Sequence, residues 1–319
     1  MREVFAKTLN AELPEPLPRF TYSEALKRYG VDKPDVRFEN FLEDGSEDLR
    51  VLLDASSEES VRVLRFGISG RTAGAIREFI EGFLTHEGMV RHYYVIKSSG
   101  ALLSNDESVG SELARLLDVG VEEAAVVAIG DYVRSSEFLG SLRNALGRYL
   151  NLVRKDVFAM LWITEFPLFE LNESGVLTPR HHPFTSPRPE DVPKLDVAPL
   201  DVIAQSYDLV LNGYEIGGGS IRINNRELQE KIFTMLGLTT EEMYDRYGFL
   251  LEALDYGAPP HGGIAIGVDR LVAVALGHDS IREVIAFPKN KEMMDPMTGA
   301  PGRPPEEHLK EIKWLKILL

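Results

Sequence analysis

The segment from Asn212 to Arg222 constrains the fold of this chain more than any other stretch: Asn-Gly-Tyr-Glu-Ile-Gly-Gly-Gly-Ser-Ile-Arg. Three consecutive glycines lie between residues that are typical of β-strands, and glycine adopts the positive φ angles that two-residue hairpin loops require. We predict a hairpin whose loop is Gly218 and Gly219. Because opposite residues of a hairpin share a face of the sheet, this register places Glu215 beside Arg222.

An acid beside a guanidinium, next to backbone that glycine leaves uncovered, suits a small polar molecule that carries both charges. Amino acids and nucleotides are such molecules, and a guanidinium binds their carboxylate or phosphate groups in a fork-shaped geometry. The same pattern also fits a hairpin that holds only a cross-strand salt bridge. From this segment alone, both interpretations stay open.

A second candidate site begins where the apolar strand Ile264–Ile266 meets Gly267. A helix is predicted to follow, with Asp269 and Arg270 in its first turn. The helix dipole disfavours arginine at this end, whereas a bound phosphate would be held by the guanidinium and the free helix amides together. The alternative is a packed strand–helix junction in which Asp269 caps the helix and pairs with Arg270.

Two adjacent histidines, His181 and His182, precede Pro183. Neighbouring side chains of an extended chain point in different directions, and no third ligand follows at helical spacing, so a metal site is not predicted. A neutral imidazole that hydrogen-bonds a substrate is the functional interpretation, and a loop histidine without a role is the alternative. The sequence also has no phosphate-binding P-loop, no nucleophile elbow and no dinucleotide fingerprint after a strand.

The first 39 residues predict a linker and a helical lead-in. A helix is expected over 21–29, because Thr21 and Glu24 have the spacing of a capping box and Gly30 can end the helix. The charged pairs that follow are expected to stabilise a turn rather than to take part in catalysis: Asp32 with Lys33, and Asp35 with Arg37.

The order of strand, helix and glycine- and proline-rich patterns in the remaining chain predicts three further regions. Residues 40–151 alternate strands and helices, among them a helix over 70–86 and another over 140–152, and form a predicted inserted α/β domain. Residues 152–289 contain strands separated by long glycine- and proline-rich connections, and residues 290–319 predict an irregular tail.

Composition excludes several classes of site. The chain has 319 residues, of which 44% are apolar and 27% charged, as in ordinary globular proteins. It contains no cysteine, which excludes disulfides, thiolate zinc sites, cysteine nucleophiles and iron–sulfur clusters. A net charge of −15 disfavours nonspecific binding of nucleic acid, although a local basic patch stays possible. No stretch has the length of a signal peptide or membrane span, so we expect a cytoplasmic protein without membrane contacts.

Taken together, these segments resemble the bacterial type of aspartyl-tRNA synthetase, a class II aminoacyl-tRNA synthetase. The similarity extends over nearly all of the sequence, and Gly267–Arg270 resembles class II motif 3. The other matching segments, in chain order, are Phe20–Phe38, Phe166–Glu170, His181–Thr185, Asn212–Arg222, Tyr256–Gly263, Ile285–Lys289 and Met297–Pro301.

The resemblance implies an α+β fold, with part of the class II antiparallel sheet flanked by helices and with an inserted α/β domain. It also implies the site residues. His181 and Arg222 would contact the substrate aspartate, with Arg222 on its side-chain carboxylate. Glu215 would serve ATP through a magnesium ion. Arg270 would hold the γ-phosphate, and the residues implied to line the ATP site are Gly267, Val268, Asp269 and Arg270.

The family's anticodon-binding domain and its motifs 1 and 2 have no counterpart in the sequence, which we expect to correspond to the C-terminal half of the enzyme. The resemblance therefore implies a component or truncated form of an aspartate–tRNA ligase that acts on aspartate, ATP and tRNA. Its expected partner is an N-terminal synthetase half or a second copy of the chain. The alternatives are a non-catalytic paralogue that binds aspartate or ATP, and an inserted domain that binds a protein or tRNA.

Overall fold

The computed structural model describes residues 1–84, 90–99, 101–172, 174–302, 304–305 and 307–308. The chain divides into two compact units, Met1–Ile266 and Gly267–Leu319. Within the described residues, the α-helices are α1 (Arg2–Leu9), α2 (Tyr22–Tyr29), α3 (Glu47–Leu52), α4 (Ala73–Leu84), α5 (Glu107–Leu116), α6 (Tyr132–Tyr149), α7 (Arg226–Met235), α8 (Thr240–Asp255) and α9 (Val268–Ala275). The strands are β1 (Arg19–Thr21), β2 (Leu42–Asp44), β3 (Ser60–Gly67), β4 (Arg91–Ser98), β5 (Ala101–Ser104), β6 (Glu123–Gly130), β7 (Met160–Thr164), β8 (Phe169–Leu171), β9 (Leu177–Pro179), β10 (Ser206–Leu211), β11 (Tyr214–Ile221) and β12 (Gly262–Ile266).

The first unit contains a five-stranded sheet in the order β1-β7-β10-β11-β12. Strand β1 is parallel to β7, and the other neighbours are antiparallel. One face of this sheet packs on α2, where Leu161, Ile163 and Val210 are buried against Leu26 and Phe166. The antiparallel sheet flanked by helices agrees with the predicted α+β fold.

The hairpin formed by β10 and β11 differs from the prediction. Its two-residue loop is Asn212-Gly213, with φ angles of 53° and 85°, and not Gly218-Gly219, so the predicted loop is wrong. Type I′ loops require positive φ at both positions, and Asn-Gly is the pair that adopts them most readily. This pair is therefore the stronger turn signal, and the glycine run lies inside β11.

The predicted register is wrong for the same reason. Glu215 lies opposite Val210 of β10 and is not the cross-strand partner of Arg222. The glycines instead allow close packing, because a Cβ atom on Gly219 would overlap the carbonyl oxygen of Gly263 in β12. The glycine run is thus a requirement of strand packing.

The second sheet has the order β2-β3-β6-β4-β5, and all of its neighbours are antiparallel. Its central strand β6 is buried on both faces: alternate residues pack against α4 and α6 on one side and against α3 and α5 on the other. All five strands come from within the predicted inserted domain. The boundaries of the four predicted regions stay a prediction. The predicted helix over 70–86 corresponds to α4, and its last two residues lie outside the described residues.

Helix α6 begins eight residues before the predicted start, at a cap formed by Asp131, and it ends at Tyr149. Its Gly140 packs directly on the chain at Gly30, where a Cβ atom would lie 2.6 Å from the Gly30 carbonyl carbon. One turn further along, the buried guanidinium of Arg143 donates hydrogen bonds to the carbonyl oxygens of Asp35, Phe38 and Asn40. These contacts hold the turn that follows α2 against α6.

Helix α2 confirms the predicted capping box. Thr21 Oγ1 accepts a hydrogen bond from the Glu24 amide, Glu24 accepts one from the Thr21 amide, and Gly30 ends the helix with φ 72°.

We expect Thr21→Ala to lower the free energy of unfolding by about 1 kcal/mol, as other N-cap losses do. Urea unfolding would measure this change. Thr8→Ala is the matched control, because the Thr8 hydroxyl donates only to its own helix, at Val4 O. An equal effect of both variants would contradict the capping role.

The second unit contains α9 and a 3₁₀ turn at Ile281–Glu283. Further along, the buried Asp295 accepts hydrogen bonds from the Met297 amide and the Thr298 hydroxyl. The predicted irregular tail over 290–319 lies partly outside the described residues. No helix in the described parts of the chain has both the length and the apolar character that a bilayer span needs.

Candidate functional site

Charged side chains from the β10–β11 hairpin and from the distant turn after α2 meet beside these two strands. Asp208 comes from β10, Glu215 from β11, and Lys33 from the turn after α2. Lys33 Nζ lies 2.8 Å from Asp32 Oδ2, 3.6 Å from Glu215 Oε2 and 3.9 Å from Asp208 Oδ2. His181 comes from a further segment, which follows β9, and its Nε2 lies 4.0 Å from Asp208 Oδ2.

The backbone of the hairpin brings the two carboxylates together. The pairing of β10 with β11 shifts by one residue after Leu209, which is a β-bulge, and bulges commonly redirect side chains next to functional sites. Gly218 lies opposite Asp208. A Cβ atom on it would lie 2.8 Å from Asp208 Oδ1 and 3.1 Å from Glu215 Oε1. Any larger residue at 218 would therefore press on both carboxylates.

Asp208 is an unusual acid because it is only 3% exposed and its Oδ2 atom accepts no hydrogen bond. Burial, and then the charge of Glu215, raise the pKa of Asp208 to about 7. A buried carboxylate oxygen without a hydrogen bond, beside a second carboxylate, is a favourable position for a hard cation.

The pair suits magnesium in particular. No group of three or more His, Cys, Asp or Glu side chains is arranged to hold a metal within the described parts of the chain. Mg²⁺ is usually held by one or two carboxylates, with water and substrate phosphates as the other ligands. Asp208 and Glu215 therefore fit a magnesium ion that is shared with a phosphate substrate.

The structure places His182, rather than His181, against Arg222. His182 Nδ1 lies 3.1 Å from a terminal nitrogen of Arg222, to which it offers an acceptor. The chain at Thr185 forms a β-bridge with Arg222, so the two segments run side by side. His181 lies elsewhere, edge-on to the Phe166 ring with ring centres 4.7 Å apart. The predicted contact of His181 with aspartate stays a prediction.

The environment keeps His182 neutral. Burial, and then the positive charge of Arg222, lower the pKa of His182 to about 4. A protonated ring would lose its acceptor toward Arg222 and place two cations together. Because the folded pKa lies below the ordinary value, this ring stabilises the fold above about pH 6.5 and loses that contribution as pH falls toward 4.

We expect the His182 ring to titrate near pH 4 in the folded chain, as measured by NMR of the imidazole carbons. An unperturbed histidine ring titrates at about pH 6.5. Arg222→Ala should raise the His182 pKa toward that value, because it removes the neighbouring charge. A midpoint near 6.5 for His182 in the unaltered chain would contradict this account.

Sequence reasoning missed two members of the site. Asp208 carries a signal that was available, because an acid within the apolar strand Ser206–Leu211 is buried and such acids are rare without a role. Lys33 carries none, since its neighbours are turn residues and its partners lie about 175 positions further along the chain. Both predicted turn pairs are present, Asp35 with Arg37 at 2.7 Å and Asp32 with Lys33 at 2.8 Å. Lys33 in addition lies near the carboxylates of Asp208 and Glu215.

In the second unit, Gly267 is the N-cap of α9, and the helix begins at Val268. Asp269 and Arg270 lie in its first turn, as the sequence predicts. Asp269 is inside the helix rather than at its cap, so the capping role in the alternative interpretation is wrong. The assignment of these four residues to ATP stays a prediction.

Comparison with known proteins identifies related chains. Residues 1–291 match the family described as tRNA synthetases class II (D, K and N). The aspartate–tRNA ligase of Enterococcus faecalis is 41% identical over 95% of this chain and 53% of its own length. The aspartate–tRNA(Asp/Asn) ligase of Dictyoglomus turgidum is 38% identical over 98% of this chain and 54% of its own.

The chain thus spans about half the length of the curated relatives it matches. Among solved structures, the aspartyl tRNA synthetase from Entamoeba histolytica aligns over 92% of this chain and 57% of its own, with 15% identity and a TM-score of 0.35.

Proposed function

We propose, because this chain belongs to the class II tRNA synthetases of the D, K and N group, that it forms part of an aspartate–tRNA ligase. The reaction would be the activation of L-aspartate by ATP to aspartyl-adenylate, followed by transfer of aspartate to tRNA. One observation carries the proposal. The hairpin β10–β11 bears the Asp208–Glu215 carboxylate pair, and Arg222, which neutral His182 contacts, follows directly after β11.

Arg222 would bind the side-chain carboxylate of aspartate. A guanidinium has five N–H donors, and His182 accepts from only one of its terminal nitrogens, so a bidentate pair with a carboxylate can still form. The neutral ring beside it leaves the positive charge of Arg222 undiminished. This charge favours aspartate over its uncharged amide analogue. His181 is proposed as a further aspartate contact.

Asp208 and Glu215 would hold a magnesium ion, which when bound supplies positive charge to the phosphates of ATP. Residues Gly267, Val268, Asp269 and Arg270 are proposed to bind ATP, with Arg270 on the γ-phosphate. The chain's own part in the chemistry is to orient the two substrates and to offset the charge that develops during transfer. An oxygen of the α-carboxylate of aspartate attacks the α-phosphorus of ATP, and pyrophosphate leaves. The 3′-terminal hydroxyl of tRNA then attacks the carbonyl carbon, and AMP leaves.

The proposed partner, besides tRNA, is a polypeptide that supplies the other half of the relatives' length, or a second copy of the chain. Among the described strands, β12 pairs only with β11, and all five of its residues are exposed. An edge of this kind accepts a further strand through its backbone groups. We place the complete enzyme in the cytoplasm.

Aspartate-dependent exchange of pyrophosphate into ATP tests the proposal. The chain, shown to be folded by circular dichroism, is assayed alone and with the part of the Enterococcus faecalis relative that it does not match. We expect exchange only in the combined sample, and we expect Asp208→Asn to abolish it there. Binding of aspartate or ATP without exchange in either sample would instead identify a non-catalytic paralogue.

A further inference from the structure

We propose that Lys33 is a built-in counterion of the Asp208–Glu215 carboxylate pair and that it competes with the divalent cation for this pair. The inference rests on the proposed function, because it presumes that the pair holds magnesium. It assigns to Lys33 a role in setting the affinity for the metal rather than a contact with the reacting atoms. The ammonium group offsets part of the negative charge of the pair until a metal binds there.

The ammonium group of Lys33 faces three carboxylates at once. It lies at 3.6 Å from Glu215 and 3.9 Å from Asp208, which is close enough for strong attraction but too long for a hydrogen bond. Its hydrogen bond of 2.8 Å goes to Asp32 instead. Asp208 Oδ2 is thereby left without a hydrogen bond, although a cation stands beside it. The ammonium group thus offsets part of the pair's negative charge, while Asp208 Oδ2 stays available to another ligand.

Other groups that face the pair do not take this role. His181 approaches Asp208 at 4.0 Å, but burial and the charges of Arg180 and Lys33 lower its pKa, so the ring is neutral near pH 7. Arg180 directs its guanidinium to Glu170 and to Asp32, at 2.5 and 3.5 Å. Within the described residues, Lys33 is therefore the permanent cation that lies closest to Asp208.

The fold places Lys33 here independently of any ligand. The turn that carries it follows the end of α2 and is held by Arg143, which donates to the Asp35 carbonyl oxygen. The same turn packs on the hairpin loop, where a Cβ atom on Gly213 would lie 3.1 Å from Asp35 Cβ. The lysine and the two carboxylates are thus parts of one packed assembly.

Competition with a metal follows from these distances. A divalent ion bound between the carboxylates would lie a few ångströms from the ammonium group, and like charges at such a separation repel strongly in a partly buried site. Asp32 provides the ammonium group with a hydrogen-bonded position, so Lys33 can stay charged while the pair takes up the metal. Removal of the lysine charge should therefore tighten metal binding.

Electron paramagnetic resonance tests the inference by measuring how tightly the 319-residue chain binds Mn²⁺. We expect Lys33→Met to tighten Mn²⁺ binding by about tenfold or more, because a nearby positive charge is lost. Lys33→Arg keeps the charge and should stay within about twofold of the unaltered chain. Lys231→Met is the matched control, since Lys231 pairs with Asp196 on the surface and should have no effect. Unchanged or weaker binding in Lys33→Met would overturn the inference.

Thermal unfolding provides a second readout. Without metal, Lys33→Met should melt at a lower temperature, because three carboxylates lose their counterion, and Mn²⁺ should restore more stability to it than to the unaltered chain. If Lys33→Met does not fold, Lys33→Gln keeps a hydrogen-bond donor toward Asp32 and takes its place in both measurements. Equal stabilisation of both chains by Mn²⁺ would count against the counterion role.

Asp208→Asn separates the two proposals. If it abolishes Mn²⁺ binding and Lys33→Met leaves the affinity unchanged, the metal site stands and the role of Lys33 is overturned. If the unaltered chain binds no Mn²⁺, or if Asp208→Asn has no effect, the magnesium assignment fails, and the inference fails with it.

Discussion

Replacing Arg222 with alanine is expected to weaken aspartate binding by about 10²- to 10³-fold, the usual cost of removing one partner of a desolvated, hydrogen-bonded charge pair. The guanidinium is half-buried and its orientation is set by His182. The carboxylate of aspartate would then have no cation at that position. Isothermal titration calorimetry of the folded chain with L-aspartate and with L-asparagine would measure the loss.

Two further variants make the Arg222 result specific. Arg222→Lys keeps the charge but loses the planar fork, so we expect an intermediate loss of aspartate affinity. Arg226→Ala is the matched control, because Arg226 lies four residues along and pairs with Glu230 and Asp255 near the surface. It should leave aspartate binding unchanged. Equal affinities of Arg222→Ala and the unaltered chain would exclude Arg222 as the aspartate ligand.

Gly219→Ala is expected to lower the free energy of unfolding by about 3 kcal/mol, at the upper end of what inserted atoms cost in packed structures. The new methyl group would overlap the carbonyl oxygen of Gly263 and would approach a ring carbon of Tyr207 to 2.8 Å. Backbone cannot rotate away as a flexible side chain can. Strand β12 would therefore have to separate from β11. Urea unfolding would give the change, and hydrogen exchange at the β12 amides would locate it.

Gly263→Ala is the control for this prediction. The residue lies in β12 opposite Ser220, next to the same contact, but a Cβ atom on it would have open space around it. A change within about 0.5 kcal/mol is expected, as at other open surface positions. If the two variants lost the same stability, the cost would come from glycine replacement in general and not from the close approach of the strands.

Local signals in the sequence predicted local structure well. The capping box at Thr21 and Glu24 marks the start of α2, and Gly30 marks its end, because these groups satisfy backbone atoms within a few residues. The predicted helix over 70–86 corresponds to α4, in which Ile76 and Ile80 lie about one turn apart and are both buried. The predicted start of α6, at residue 140, lies well past the true cap, Asp131, whose side chain accepts hydrogen bonds from two helix amides.

The hairpin sequence contains two local turn signals, and the turn forms at Asn212-Gly213. Both Asn212-Gly213 and Gly218-Gly219 permit a tight turn, so glycine content alone did not decide between them. The two positions differ in the packing that surrounds each of them. Gly219 faces the backbone of β12, which has to pass close to it, and only the position of that distant strand makes a glycine necessary there.

By itself, the sequence determined the class of fold and the family, and it predicted the kinds of group that are proposed for the chemistry: an arginine, acids and a neutral histidine. Only the tertiary structure decided which of them meet. Arg222 contacts His182, and Lys33 lies beside two carboxylates of a hairpin that is distant from it in sequence. The physical reason is that caps, turns and periodicity act over a few residues. These contacts depend instead on sheet register and on the packing of the turn after α2 on the hairpin, and no pattern of neighbouring residues encodes them.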